Sequence, residues 1–483
     1  GGSLAGVSLD RRNHNAPYDS QIGIGDKYLY HDEGHVAWAG GFGQVEWDHY
    51  NWSAFANVSV AQSWYKGIDF FRPKVLEIDG VTYEVNSESR GGVLGSFDYD
   101  TPSVLAEDTT EFQNDLVFVD GEQILASDSR LQTYETPWIQ LSGFTIKGGG
   151  SYLVHENLSV FGNVGYLSKA PQFNSVIDIN NNLIEGYKNQ FVKAVELGAK
   201  FTSARFASNL NIYRTGWENR PVNRFRSYDQ LTQKSIYSSF DESIDEERAK
   251  DFGYNLLAVD ALHRGVEWDF SIEPTPKFDL EGVLSLGDWR WANDPIVQFY
   301  DRRDNVPVEF VDPVTGDPTG EQAYDTLRID GLPVGNAAQT QLGMSFTYRP
   351  IPGSYVRLRV TQFSDQWADY APNDAFQSDG IEPRDPWKMP NYNLMDFMAG
   401  ARIDISDNAD VTLRLMVTNI WNQRVITDAR GNDDYGWTSS DPGIYKLGEY
   451  NASRATVFVG PPRMVRLSAV LGLKGLQNRK PKE

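Results

Sequence analysis

Any chemistry in this sequence must come from carboxylates, histidines, cations and aromatic rings, because its 483 residues include no Cys. Glu267 and Asp269 stand two apart, and Glu196 and Lys200 stand four apart. Neighbouring carboxylates are the raw material of general acid–base work. On a strand, however, a spacing of two only puts both groups on one face. A charged face turned to water accounts for them without catalysis. Among His14, His31, His35, His49, His155 and His263, no two have ligand spacing with a nearby acid on a regular element. His31 and His35 are four apart, but Asp32-Glu33-Gly34 between them reads as a turn. Asp312, Asp317 and Glu321 in one turn-rich stretch, and Asp428, Asp433 and Asp434 in another, could hold a structural calcium. Neither has EF-hand spacing, and solvated loops are the simpler reading. No serine elbow, Walker loop or dinucleotide fingerprint occurs, and Gly148-Gly149-Gly150 precedes a strand rather than a helix. No catalytic residue is nominated, and no enzymatic activity is expected.

Recognition is better represented than catalysis. Polar stretches carry Tyr83, Phe97, Tyr99, Trp291, Phe299, Tyr300, Tyr435 and Trp437 among Asp and Asn residues. Such rings can stack on a sugar face or a planar cofactor while short polar groups meet hydroxyls. The competing reading is that the rings pack these stretches against one another. The formal net charge of -22 disfavours nucleic acid and anionic surfaces as partners. An anionic ligand would need local focusing by Arg302, Arg303 or Arg430.

The elements that would position these residues are strands. Val266, Trp268, Phe270 and Ile272 alternate with Glu267, Asp269, Ser271 and Glu273, and Pro274-Thr275-Pro276 ends the run. Phe278, Leu280, Gly282, Leu284 and Leu286 then resume the apolar face. The same alternation recurs from Trp52 to Val60, Leu158 to Tyr166, Val195 to Phe201, Phe206 to Ile212, Ala338 to Tyr348, Val356 to Val360, Met395 to Ile405, Val411 to Val417 and Val465 to Leu473. Short turns near Ala204, at Pro350-Ile351-Pro352-Gly353 and at Ser406-Asp407-Asn408-Ala409 alternate with long connections at 72–135, 221–248, 291–335 and 423–455. No window reaches the roughly 18 apolar residues of a membrane helix. Short turns on one side and long connections on the other are the pattern of an all-β transmembrane antiparallel barrel, here with about 13 or 14 strands.

In that reading 42–473 is barrel, 1–41 a leading segment or partial strand, and 474–483 a basic tail. Val266, Trp268, Phe270, Val411, Leu413 and Leu415 should face lipid, with Glu267, Asp269, Thr412 and Arg414 inward. Trp47, Tyr50, Trp52, Trp64, Tyr65, Trp217 and Trp367 lie near strand ends, where interfacial belts form. A secreted sandwich or propeller also alternates, but no fixed blade-like period appears.

Several stretches resemble the barrel of TonB-dependent outer-membrane receptors, especially the long-looped type of Bacteroidetes-like bacteria. Lys388-Met389-Pro390-Asn391-Tyr392-Asn393-Leu394-Met395-Asp396 is similar to the opening of a late barrel strand. Leu413 to Gln423, with Asn419-Ile420-Trp421-Asn422, resembles the end of the penultimate strand, and Gly460-Pro461-Pro462-Arg463 the entry to the last. Tyr166 to Pro171, and Glu196 to Lys200 with Asn211 to Thr215, agree with mid-barrel strands.

The resemblance implies bacterial outer-membrane location and energised uptake of a scarce nutrient: a metal chelate, a cofactor or a glycan fragment. It implies contact with outer-membrane lipid and coupling to a TonB-type energy transducer through a plug-containing region. A surface lipoprotein or a second receptor chain could also be a partner. The family barrel has about 22 strands around a plugged lumen. Nothing before Phe42 resembles that plug or the transducer-binding box. A gene fragment, a split receptor and a smaller closed barrel are the expectations for the difference, with a non-energised structural or binding barrel as the alternative function.

Overall fold

The computed structural model describes residues 31–78, 128–177, 186–227, 252–301, 328–368, 386–430 and 456–473, together with shorter pieces between them. Thirteen long strands form the wall: β1 (Asp32–His49), β2 (Trp52–Ile78), β3 (Ile139–His155), β4 (Leu158–Lys169), β5 (Gln190–Thr202), β6 (Phe206–Ser227), β7 (Phe252–Thr275), β8 (Phe278–Trp291), β9 (Ala338–Tyr348), β10 (Ser354–Gln366), β11 (Tyr392–Ser406), β12 (Ala409–Thr418) and β13 (Met464–Leu473). Each pairs antiparallel with the next in chain order. No pairing joins β1 to β13, so the described sheet is not closed into a complete barrel. Its only helical turn among the described residues is 3-10, at Phe173–Ser175. The all-β antiparallel architecture is therefore the one that the alternation predicts.

Residues paired across strands share a face, so register decides whether the apolar stripes join. They do. Leu197, Ile212, Val266 and Leu286 form one row across β5 to β8. Ala401, Leu413 and Ala469 form another across β11 to β13. Leu197 is 61% exposed and Ile212 57%, values foreign to a soluble core. An uninterrupted exposed apolar face of this kind belongs against hydrocarbon. The opposite face is polar: Asn209 donates to Asp269 Oδ1 at 3.2 Å, and Arg359 binds Asp396 at 2.6 Å.

Short turns gather at one edge of the wall. One of them falls later than the sequence suggests: β7 continues through Pro274 and Thr275 past a register shift, and the turn lies at Pro276-Lys277. Pro274 is tolerated there because the regular ladder has already broken. Residues 32–34 are likewise not a turn but the start of β1, paired with Gly67, Ile68 and Asp69. At the other edge the strands outgrow the membrane. β2 has 27 residues where about 9–11 suffice to span, and Leu131–Glu135 pairs with its far end. Part of the nominal long connections is thus extended wall. Ile426–Arg430 and Thr456–Val459 form a separate hairpin there.

The connection between β4 and β5 turns inward. Val176 and Ile177 are almost fully buried against Tyr65 and Leu141, and Tyr65 donates to the Pro171 carbonyl at 3.1 Å. Gly67 permits this approach, since a Cβ there would lie 2.6 Å from Asn181 Oδ1. Tyr65 and Trp217 consequently belong to the inner face rather than to a lipid belt. Trp47 and Trp52 do lie outward near the short-turn edge, with the Trp52 ring 4.5 Å from that of Tyr152.

Candidate functional site, an aromatic and cationic cavity on the inner wall

Three rows of inner-face positions cross β6, β7 and β8 near the long-connection edge: Tyr213–Gly265–Gly287, Thr215–His263–Trp289 and Trp217–Ala261–Trp291. Bulky rings occupy a parity that elsewhere holds Asn211, Glu267 and Ser285. Gly265 makes the arrangement fit. A Cβ there would stand 2.7 Å from the Tyr213 hydroxyl and 2.5 Å from the Leu286 carbonyl. The Tyr213 ring instead crosses over the glycine and accepts a hydrogen bond from Trp289 Nε1 at 2.9 Å. His263 stacks on Trp289 at 5.4 Å, and Trp217 leans toward its other side at 6.3 Å. The Arg220 guanidinium lies 5.8 Å over the Trp291 ring, a cation–π contact.

The inward-turned connection faces these rings across a cavity of about 420 Å³. Ala170, Pro171 and Gln172 line one side, with Trp217, Arg220, Pro221 and His263 opposite and Lys169 and Gln190 beside them. Trp217 Nε1, His263 Nε2 and Trp291 Nε1 are buried with no hydrogen-bond partner among the described residues. Each such group costs about 1–3 kcal/mol. One indole donor, an imidazole nitrogen and the cations Lys169 and Arg220 line the cavity, with the Trp291 indole directly behind Arg220; the set suits a ring-bearing ligand rich in anionic oxygens. Within the described residues, no three His, Asp or Glu side chains could hold a metal ion.

Of the sequence-nominated ligand residues, Trp291 comes nearest: it does not line the cavity but lies under Arg220, which does. Tyr83 lies in a short strand paired with β2, and Phe299 and Tyr300 in one paired with β7. Arg430 ends the Ile426–Arg430 strand. Phe97, Tyr99, Arg302, Arg303, Tyr435 and Trp437 lie outside the described residues, as do the calcium candidates Asp312, Asp317, Asp433 and Asp434. Arg220 and Trp289 are not nominated by the sequence reading, which takes Trp217 for a belt residue and weighs His263 only as a metal ligand. Their signal is parity: Trp217, Trp289 and Trp291 fall on the polar side of the alternation, where a tryptophan needs a reason.

The family described as TonB dependent receptor-like, beta-barrel, matches residues 3–420. No curated protein sequence matches the chain. Among solved structures, the FrpB iron transporter from Neisseria meningitidis superposes with a TM-score of 0.48 at 11% identity, covering 92% of this chain and 46% of that one. The ferric-catecholate import receptor Fiu from E. coli K12 gives 0.43 at 13% identity, covering 92% and 55%. BauA, the ferric preacinetobactin receptor from Acinetobacter baumannii, gives 0.42 at 12% identity, covering 91% and 55%. The chain spans about half the length of these structures.

Proposed function

The chain belongs to the TonB-dependent receptor-like β-barrel family, a family of outer-membrane transport proteins rather than catalysts, and from that premise we propose that it forms the ligand-facing wall of an energised importer. The cargo is a scarce nutrient that combines a ring system with anionic oxygens, such as a metal chelate, an acidic cofactor or a charged glycan fragment. One observation carries this reading: Trp217, His263 and Trp291 present buried nitrogens without partners beside Arg220 on the inner wall. The chain's excess of acid would repel an anion elsewhere, so two cations lining one aromatic cavity make a local exception. Tyr83, Tyr99, Trp291, Tyr300, Arg302, Arg303, Tyr435 and Trp437 extend the contact surface toward the mouth. Coupling to a TonB-type transducer runs through a plug-containing region, and a surface lipoprotein or second receptor chain assists capture. The length of the connections supports the long-looped subtype.

The test is a binding and uptake screen of the intact protein against siderophore complexes, corrinoids and acidic oligosaccharides, repeated with Trp217→Ala and Arg220→Gln. A cargo whose affinity falls at least tenfold in both variants, and whose accumulation stops when the proton gradient is collapsed, supports the proposal. Cargo binding unchanged by either substitution would refute the cavity's role, and accumulation insensitive to the gradient would refute energised import.

A further inference from the structure

The outer face of the wall carries a second charged feature, on the opposite side from the cavity. In the row across β5 to β8 just above Leu197, Ile212, Val266 and Leu286, the Cα partners are Val195, Arg214, Arg264 and Asp288. The next row outward is Lys193, Gly216, Leu262 and Arg290. The apolar band therefore ends abruptly in four cations at two adjacent levels. Rows on one face are about 7 Å apart and neighbouring strands about 5 Å, so all four rise from a small patch.

The acids there do not balance the cations. Asp288 is shared by Arg264 and Arg290, each at 2.7 Å, Glu218 pairs with Lys193, and Asp260, the third acid near Lys193, accepts the Asn219 N–H, so three carboxylates face four cations. Arg214 has no acidic partner among the described residues and sits directly opposite Arg264. Like charges placed directly opposite one another are destabilising and call for a counter-anion. Gly216 leaves room for one: a Cβ there would meet nothing within 4 Å. The arginine and lysine side chains also remain open to the surroundings, 61% for Arg264, 51% for Arg290 and 56% for Lys193.

We propose that this patch binds the phosphorylated headgroup of a membrane lipid in the leaflet on the long-connection side. The phosphate sits over Gly216 between Lys193, Arg214 and Arg264, and the acyl chains descend along Ile212, Val266 and Leu286. A free phosphate would use the cations but not the apolar rows beneath them. The adjacency of the two is what selects an amphiphile. Lipid held here would brace β5 to β8, the strands whose other face forms the cavity wall.

The experiment is native mass spectrometry of the intact protein in detergent, with bisphosphorylated lipid A, its fully dephosphorylated form, or inorganic phosphate as the probe. Wild-type protein should retain the phosphorylated lipid, and Lys193→Gln with Arg214→Gln should lower retention at least fivefold. Lys277→Gln, in a short turn at the opposite edge, should change nothing. Folding of each variant is checked by its faster migration on unheated gels. Should the double variant not insert, Arg214→Gln alone breaks no ion pair among the described residues and should still lower retention at least twofold. Equal retention by variant and wild type would overturn the proposal. So would equal retention of the dephosphorylated lipid, or displacement of the lipid by inorganic phosphate at comparable concentration.

Discussion

His263 stacks on Trp289 with ring centroids 5.4 Å apart and 28° between planes, while its Nε2 is buried without a hydrogen-bond partner among the described residues. The stack holds the imidazole in place and leaves its polar edge uncommitted. His263→Phe keeps a ring of similar size there, so stability should change by less than about 1.5 kcal/mol. Cargo affinity should fall nonetheless. Tyr213→Phe should do the reverse: it removes the acceptor of the half-buried Trp289 donor, costing about 1 kcal/mol of stability. Urea titration of the folded gel band, run beside cargo binding, separates the two effects.

Leu413 lies on the apolar row between Ala401 and Ala469, whereas Thr412 lies on the inner face between Arg402 and Val470. Leu413→Arg should cost about 2–4 kcal/mol, the penalty for a cation facing mid-bilayer lipid. Thr412→Arg should cost much less. Comparable losses in a refolding titration in lipid vesicles would contradict the assigned faces.

Asn419 adopts a left-handed conformation, with φ at 48°, and is buried. Its Nδ2 donates to the Gln423 carbonyl at 2.8 Å, its Oδ1 accepts from Gln423 N–H at 3.0 Å, and its own N–H donates to Asp396 Oδ1 at 3.0 Å. Asn419→Ala should lower stability by about 2–4 kcal/mol, combining left-handed strain with lost hydrogen bonds. Asn419→Gly removes only the strain and should recover about 1 kcal/mol of that loss. An identical loss for both variants would show that backbone conformation contributes nothing at this turn.

Asp128 lies in a turn outside the membrane-spanning strands, and hydrogen bonds from the Arg130 side chain and backbone hold its carboxyl at about 2, below the ordinary 3.8. A depressed carboxylate stabilises its turn above the ordinary value and loses that contribution as pH falls through the folded value. The Asp128–Arg130 contact should therefore persist at pH 4 and weaken between about pH 4 and 2. The carbon-13 shift of a labelled Asp128 carboxyl checks it: Arg130→Gln should move the midpoint upward toward 3.8.

Alternation made the wall legible in advance, because a strand presents every second residue to the same side and lipid tolerates little on that side but apolar groups. Val266, Trp268 and Phe270 could be assigned outward, and Glu267 and Asp269 inward, without coordinates. The short turns at Ala204, Pro350 to Gly353 and Ser406 to Ala409 were visible for a related reason, since breaking residues interrupt the period. Where a ladder loses register near such a break, as at Pro274, the signal is off by a residue or two.

The candidate site was a different matter. Trp217, Arg220, His263 and Trp289 lie on three strands, with Trp217 and Trp289 72 positions apart, and only pairing register sets them side by side. The sequence carries the parity that turns each ring inward, but not the row that each occupies. The outer patch has the same origin: nothing local to Arg214 or Arg264 says that the two face each other across a strand pair. Period two is a property of each strand's own backbone and is written residue by residue in the sequence. Which row meets which depends on how neighbouring strands slide before their hydrogen bonds lock, and that sliding is decided only when the sheet assembles.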